Sequence, residues 1–180
     1  MTSRSIIGAL LGGLILWVLQ FLSWGMLDLH YNEMAYTDKQ DVLLEALNNA
    51  NLAEGDYFMP RAPKGDMEAM EAMQEEITGK PWARIQYRKS LDNAMGMNMA
   101  RGFAIDVIAA FLLIWIFGKM DRPSMSTIVT TCIAIGVIGY LLISYLNSIW
   151  FEGNSLMTLI DSIISMGIVG AFLGWWLNRD

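Results

Sequence analysis

The sequence holds one cysteine, Cys132, and one histidine, His30, in 180 residues. A lone thiol supplies neither a disulfide framework nor the paired spacing of a thiolate metal site, and it says nothing about redox compartment. Cys132 sits in the middle of an apolar run, where it reads as a small buried apolar residue. A single histidine makes no zinc site unless acids or cysteines are arranged around it, and Asp28-Leu29-His30 offers only a weak version of that. Clustered Lys and Arg are also lacking. Residues 28–101 carry thirteen acids and eight bases, a net of −5 within the chain's −6. That balance excludes nucleic acid as a partner. No H-E-x-x-H, G-x-S-x-G, P-loop or G-x-G-x-x-G is present, and Gly8-Ala9-Leu10-Leu11-Gly12-Gly13 lies within an apolar run rather than a phosphate loop. The chain is therefore expected to be no enzyme and to need no cofactor. Internal repeats are absent.

What is present is hydrophobic residue in long blocks. The chain is 54% hydrophobic, against about 45–50% for soluble domains. The excess lies in residues 6–27, 102–118, 126–147 and 155–177, almost without charge. A helix of roughly 20 apolar residues crosses a hydrocarbon core of about 30 Å. Barrel strands would alternate polar and apolar residues; Ile105 to Ile114 does not. The expected fold is all-α and membrane-spanning: four transmembrane helices, with a small α+β domain, residues 28–101, between the first and second.

Orientation follows from the positive-inside rule. Arg4, Lys119 with Arg122, and Arg179 fall on one side, whereas the short loop around Glu152 has no base. Both termini are expected on the cytoplasmic side, with residues 28–101 extracytoplasmic. Ser23-Trp24-Gly25 has the small-x-small look of a cleavage site, but the first apolar run exceeds the roughly 7–15 residues of a signal-peptide core and lacks an A-x-A pattern. An uncleaved anchor is the reading adopted.

Within the extracytoplasmic segment, Thr37-Asp38-Lys39-Gln40 has a capping-box pattern. Val42, Leu43, Ala46, Leu47 and Ala50 follow at helical spacing. Residues 56–59 read as a short strand. Residues 65–77 read as a second helix, with Met67, Met70 and Met73 on one face. Residues 82–88 alternate with strand period and are expected to pair with 56–59. Residues 93–118 read as one long helix entering the bilayer.

Small residues recur at four-residue spacing in the first span (Gly8, Gly12, Gly13) and the fourth (Gly170, Gly174). Such spacing lets helix backbones approach closely, so these two helices are the expected close pair. Two acids, Asp106 and Asp161, lie inside spans. An intramembrane carboxylate is costly unless partnered. With Arg101, His30, Asp28 and Asn147 at the same level, they form an expected polar cluster at the outer mouth of the bundle. Asp106 is expected to reach Arg101, and Asp161 to reach Asn147, Ser144 or Asp106. An alternative site is a soft Cu(I) cluster of Met67, Met70, Met73, Met95, Met97 and Met99. However, Met95, Met97 and Met99 fan out by about 200° per step around a helix.

Phe21-Leu22-Ser23-Trp24 with nearby His30, Gly55-Asp56-Tyr57-Phe58-Met59-Pro60, and Thr158-Leu159-Ile160-Asp161 together resemble a family of small four-span bacterial inner-membrane proteins that has no established activity. Relatives place a basic residue or proline before His30, where this chain has Leu29. The resemblance implies the four-span layout and singles out Asp161. It implies no activity. The expected function is an accessory subunit or sensor that meets another membrane protein, or a second copy, through the extracytoplasmic domain. The alternative is a small ion- or proton-coupled transporter using Asp106 and Asp161.

Overall fold

The computed structural model describes residues 3–179. In chain order the elements are α1 (Ser3–Phe21), α2 (Gln40–Asn49), β1 (Gly55–Met59), α3 (Met67–Ile77), β2 (Ala83–Tyr87), α4 (Met95–Phe117), α5 (Met125–Gly139), α6 (Leu146–Phe151) and α7 (Leu156–Asn178). A wide π turn, Leu22–Met26, prolongs α1, and another, Tyr140–Tyr145, joins α5 to α6. Two compact units result: Tyr36–Asn93, and the remainder, formed by Met1–Ala35 with Ala94–Asp180.

The larger unit contains four helical stretches long and apolar enough to cross a bilayer: Ser3–Met26, Met95–Phe117, Met125–Phe151 and Leu156–Asn178. At 1.5 Å per residue, the shortest is about 34 Å long, enough for a core of about 30 Å. The chain thus has the build of a multi-pass membrane protein. Its most extensive packing is α1 along α4 and α5 along α7, and α1 also meets α7, joining the two pairs.

Apolar burial drives helices together weakly inside lipid, so close backbone approach and polar contacts must hold them. The glycines show where. A Cβ on Gly13 would lie 2.6 Å from the Val107 Cα of α4, and one on Gly8 would lie 2.6 Å from the Trp176 ring of α7. Gly12 faces Ala110 on one side and Val169 and Leu173 on the other. The glycines of α7 face elsewhere: Gly170 meets Cys132 and Val129, and Gly174 meets Met125, all on α5. The expected mutual glycine seam of α1 and α7 is therefore replaced by two seams. Against α1, α7 presents Val169, Leu173 and Trp176, and its small residues serve α5. Phe117, Ile128, Cys132, Val169 and Leu173 are fully buried at the centre.

The seam of α1 and α7 is closed at the end that carries the termini. Arg4 donates from Nη2 to the Trp176 carbonyl at 2.7 Å and also to the Arg179 carbonyl. The Trp176 indole N–H returns a bond to the Arg4 carbonyl at 3.1 Å. A guanidinium at the last carbonyls of α7 satisfies acceptors that a helix C-terminus leaves open and complements its dipole.

In the smaller unit, β1 and β2 pair antiparallel with Tyr57 opposite Ile85, as the alternation predicts. The expected capping box is displaced. Thr37 Oγ1 accepts the Lys39 N–H instead, a local turn that delays α2 to Gln40. Asp66 caps α3, its side chain accepting the Ala69 N–H at 2.9 Å. The two-stranded sheet carries Phe58 against Trp82, ring centroids 5.6 Å apart.

The packing contrast generates a prediction. Gly13→Ala forces a methyl into the α4 backbone and should lower stability in detergent by about 1–3 kcal/mol. Gly102→Ala meets open space within 4 Å and should be neutral or stabilising by up to about 1 kcal/mol. Thermal unfolding of the two variants side by side checks the difference.

Candidate functional site

At the end where α1 finishes, a polar cluster is assembled from the π turn, the segment after it, and α7. The π turn widens the last part of α1, and Ser23 lies buried within it. Its hydroxyl donates to Asp161 Oδ2 at 2.6 Å. The chain then turns back. Leu29 N–H bonds the Ser23 carbonyl, and Asp28 takes a left-handed φ of 49°, a conformation aspartate tolerates better than most residues. This reversal returns His30 to the seam. Its Nε2 lies 2.9 Å from the same Asp161 Oδ2. Its Nδ1 lies 3.0 Å from Glu33 Oε2, one helical step on in the short turn Tyr31–Glu33. That contact has ion-pair distance but lies off the line of a good hydrogen bond, so Nδ1 counts as unpaired by direction. The imidazole also stacks on Trp24, with centroids 3.7 Å apart and planes within 3°. His30 is 4% exposed.

Burial by itself would lower the His30 pKa. The hydrogen bond to Asp161, the contact with Glu33 and the charges of both carboxylates outweigh it, so the pKa is raised above its ordinary value of 6.5. A raised folded-state pKa means that the cluster contributes stability in full below the unfolded value, and that the contribution is lost as pH rises through the folded value.

The second intramembrane acid has its own partner. Asp106, 5% exposed, accepts from Gln20 Nε2 at 2.8 Å, while its other oxygen is buried without a hydrogen-bond partner among the described residues. Gln20 and Ser23 are three residues apart on one helix, about 4.5 Å along its axis. The two acids therefore attach to α1 within one turn of each other.

Other residues singled out in the sequence lie elsewhere. Arg101 is exposed on α4, five residues before Asp106, a spacing that does not bring two helical side chains face to face; Gln20 of α1 takes that place. Asn147 is exposed on α6 and Asp28 in the reversing loop. Asp161 finds Ser23 and His30 as partners rather than Asn147 or Ser144. Met95, Met97 and Met99 are exposed along the first turns of α4. Met67, Met70 and Met73 line an open groove beside α3 with Pro63 and Lys64. Among the described residues no three His, Cys, Asp or Glu side chains converge to hold a metal ion.

Sequence reasoning missed four members of the cluster: Gln20, Ser23, Trp24 and Glu33. An intramembrane glutamine and a serine at the end of a span are weak signals. Glu33, three residues after the single histidine, was the strongest one to be found. No family model matches the chain, and no curated protein or solved structure matches it either.

Removing the shared acceptor should cost more than removing one donor. Ser23→Ala is expected to lower stability in detergent by about 1.5–3 kcal/mol, the range for a hydrogen bond to a charged group. Asp161→Leu strands both His30 and Ser23 and should cost about 3–5 kcal/mol. Arg101→Gln should stay within about 0.5 kcal/mol of the parent. Thermal denaturation of the three variants orders them.

Proposed function

We propose that the chain is a non-enzymatic, multi-pass protein of the bacterial inner membrane, with both termini cytoplasmic, whose extracytoplasmic segment binds another membrane protein as an accessory subunit or sensor. The observation that carries this reading is the missing core of residues 36–93. Tyr87 is the one buried residue among those described there, while Val42, Leu43, Leu44, Met67, Met70 and Trp82 remain exposed. A segment this short cannot stabilise itself without an apolar core, a staple or a partner. Large apolar side chains left uncovered on a water-facing unit are candidate points of interaction. A groove of about 550 Å³ lined by Met59, Met73, Ile77 and Trp82 among others gives a partner's apolar side chain a place to enter. The bases Arg4 and Arg179 gather at one end of the bundle, in keeping with a cytoplasmic placement of the termini.

The transporter reading is favoured by one observation, the unpaired buried oxygen of Asp106. Against it stands the apolar filling of the rest of the bundle by Leu113, Phe117, Ile128 and Leu173, where a conducting path needs polar lining. Proteoliposomes carrying Asp106→Asn or Asp161→Asn separate the two readings: a loss of flux that the parent supports would favour transport.

Site-specific photo-crosslinking in cells tests the interaction. A benzoylphenylalanine at Leu43 or Trp82 should give a discrete adduct, and one at the exposed Asp38 should give none. An adduct of twice the chain mass would identify a second copy as the partner. Silence at both apolar positions would overturn the reading.

A further inference from the structure

We propose that Glu33, His30 and Asp161 form a proton-binding latch that fastens the root of the extracytoplasmic segment, residues 27–35, to α7, and that loss of the proton releases it. The proposal rests on the membrane placement and partner-binding role put forward above, and it adds the means by which that segment is regulated.

The geometry demands a proton. Both ring nitrogens of His30 lie within 3.0 Å of a carboxylate oxygen. A neutral imidazole has one N–H donor and one lone pair. In either tautomer an unprotonated nitrogen would lie at that distance from a carboxylate oxygen. With both carboxylates ionised, the imidazolium suits the two contacts together: Nε2 donates to Asp161, and the positive ring lies at ion-pair distance from Glu33. Its surroundings fit that form. The flat stack on Trp24 places the charged ring over an indole face, an attractive arrangement for a cation. Glu33 from the same turn and Asp161 from α7 are the charges that bear on the ring. The π turn adds the neutral groups Ser23 and Trp24. Ser23 holds the Asp161 oxygen in place from the other side.

The latch joins parts of the chain that are otherwise lightly tied. Between Met26 and Ala35 the backbone forms only single turns. Tyr31 and Met34, on either side of Glu33, are exposed. His30 is the one buried residue between Ser23 and the end of that segment. Deprotonation exchanges an attraction at each nitrogen for a repulsion at one of them. The segment that leads directly into residues 36–93 then loses its fixed point.

The single histidine makes the test direct. The full-length protein in nanodiscs, labelled with ¹⁵N-histidine, yields one imidazole spin system whose pH titration reports His30 alone. A nitroxide at Tyr31→Cys in a Cys132→Ser background reports the mobility of the segment. The midpoint is expected above 6.5, with nitroxide mobility rising across the same pH window. Glu33→Gln removes one carboxylate charge while leaving the contact with Asp161; both midpoints should fall together by about one unit. His30→Gln should be mobile across the whole range. A histidine midpoint at or below 6.5, or a nitroxide signal that does not follow the titration in the parent and in Glu33→Gln, overturns the latch. Neither readout involves a partner, so a failure of partner binding leaves this result unchanged.

Discussion

A single carboxylate oxygen, Asp161 Oδ2, receives two donors from the far side of the α1–α7 seam, Ser23 and His30. An acid more than one turn inside an apolar helix is tenable only when it is partnered. The help from the helix N-terminus has largely faded by that depth. The donors must therefore come from another element, and that requirement shapes what surrounds it. Ser23 points at α7 from the wide turn that ends α1. The left-handed Asp28 turns the chain back so that the His30 ring reaches the same oxygen. Glu33 then lies at ion-pair distance, 3.0 Å, from the nitrogen that Asp161 leaves.

The two ends of the seam are held by different chemistry. At the end with the termini, Arg4 binds carbonyls of α7 and Trp176 binds the Arg4 carbonyl. A guanidinium stays charged at every physiological pH, and a carbonyl does not titrate. At the other end the donors are a hydroxyl and an imidazole, and the acceptor is a carboxylate. Between them the helices meet through Gly8 and Gly12 against Trp176, Val169 and Leu173. One end is thus held by groups that do not titrate, and the other is the end proposed to respond to protons.

Much of the fold is legible in the sequence because its signals are long. Four apolar runs specify four helices, and strand alternation around Ile85 specifies the pairing with β1. The site is less legible because it depends on local departures from regular geometry. In an unbroken α-helix, Ser23 would point about 20–30° or more away from its position in a wider turn, so helical spacing alone does not bring it to α7. His30 reaches the seam through a left-handed residue that the sequence marks only as Asp28. Arg101 is the obvious counter-charge for Asp106 by sign, yet a five-residue spacing misdirects it, and the neutral Gln20 on a different helix is the partner. The glycine pattern marks close packing without stating against which helix. Which seam each glycine serves depends on the opposing residues, such as Val107 and Cys132, and no spacing within one helix encodes them.

The depth of the polar layer bears on what the bundle does with a proton. Gln20 with Asp106 and Ser23 with Asp161 span about 4.5 Å along α1, a small part of a core about 30 Å thick. Beyond them toward the termini the interior is filled by Leu16, Leu113, Ile114, Phe117, Val169 and Leu173, side chains that offer neither donor nor acceptor. Under the proposed latch, a proton taken up by His30 from the loop end would find no donor or acceptor among these side chains and would leave by the way it came. Reversible loading from one face, without passage to the other, is what the proposed sensor requires and a transporter does not. The proposed latch also sets its titratable group at the root of a segment that lacks its own core. On the proposed reading that segment takes its order from outside contacts, and a change in how its root is held would carry a change in protonation into partner binding.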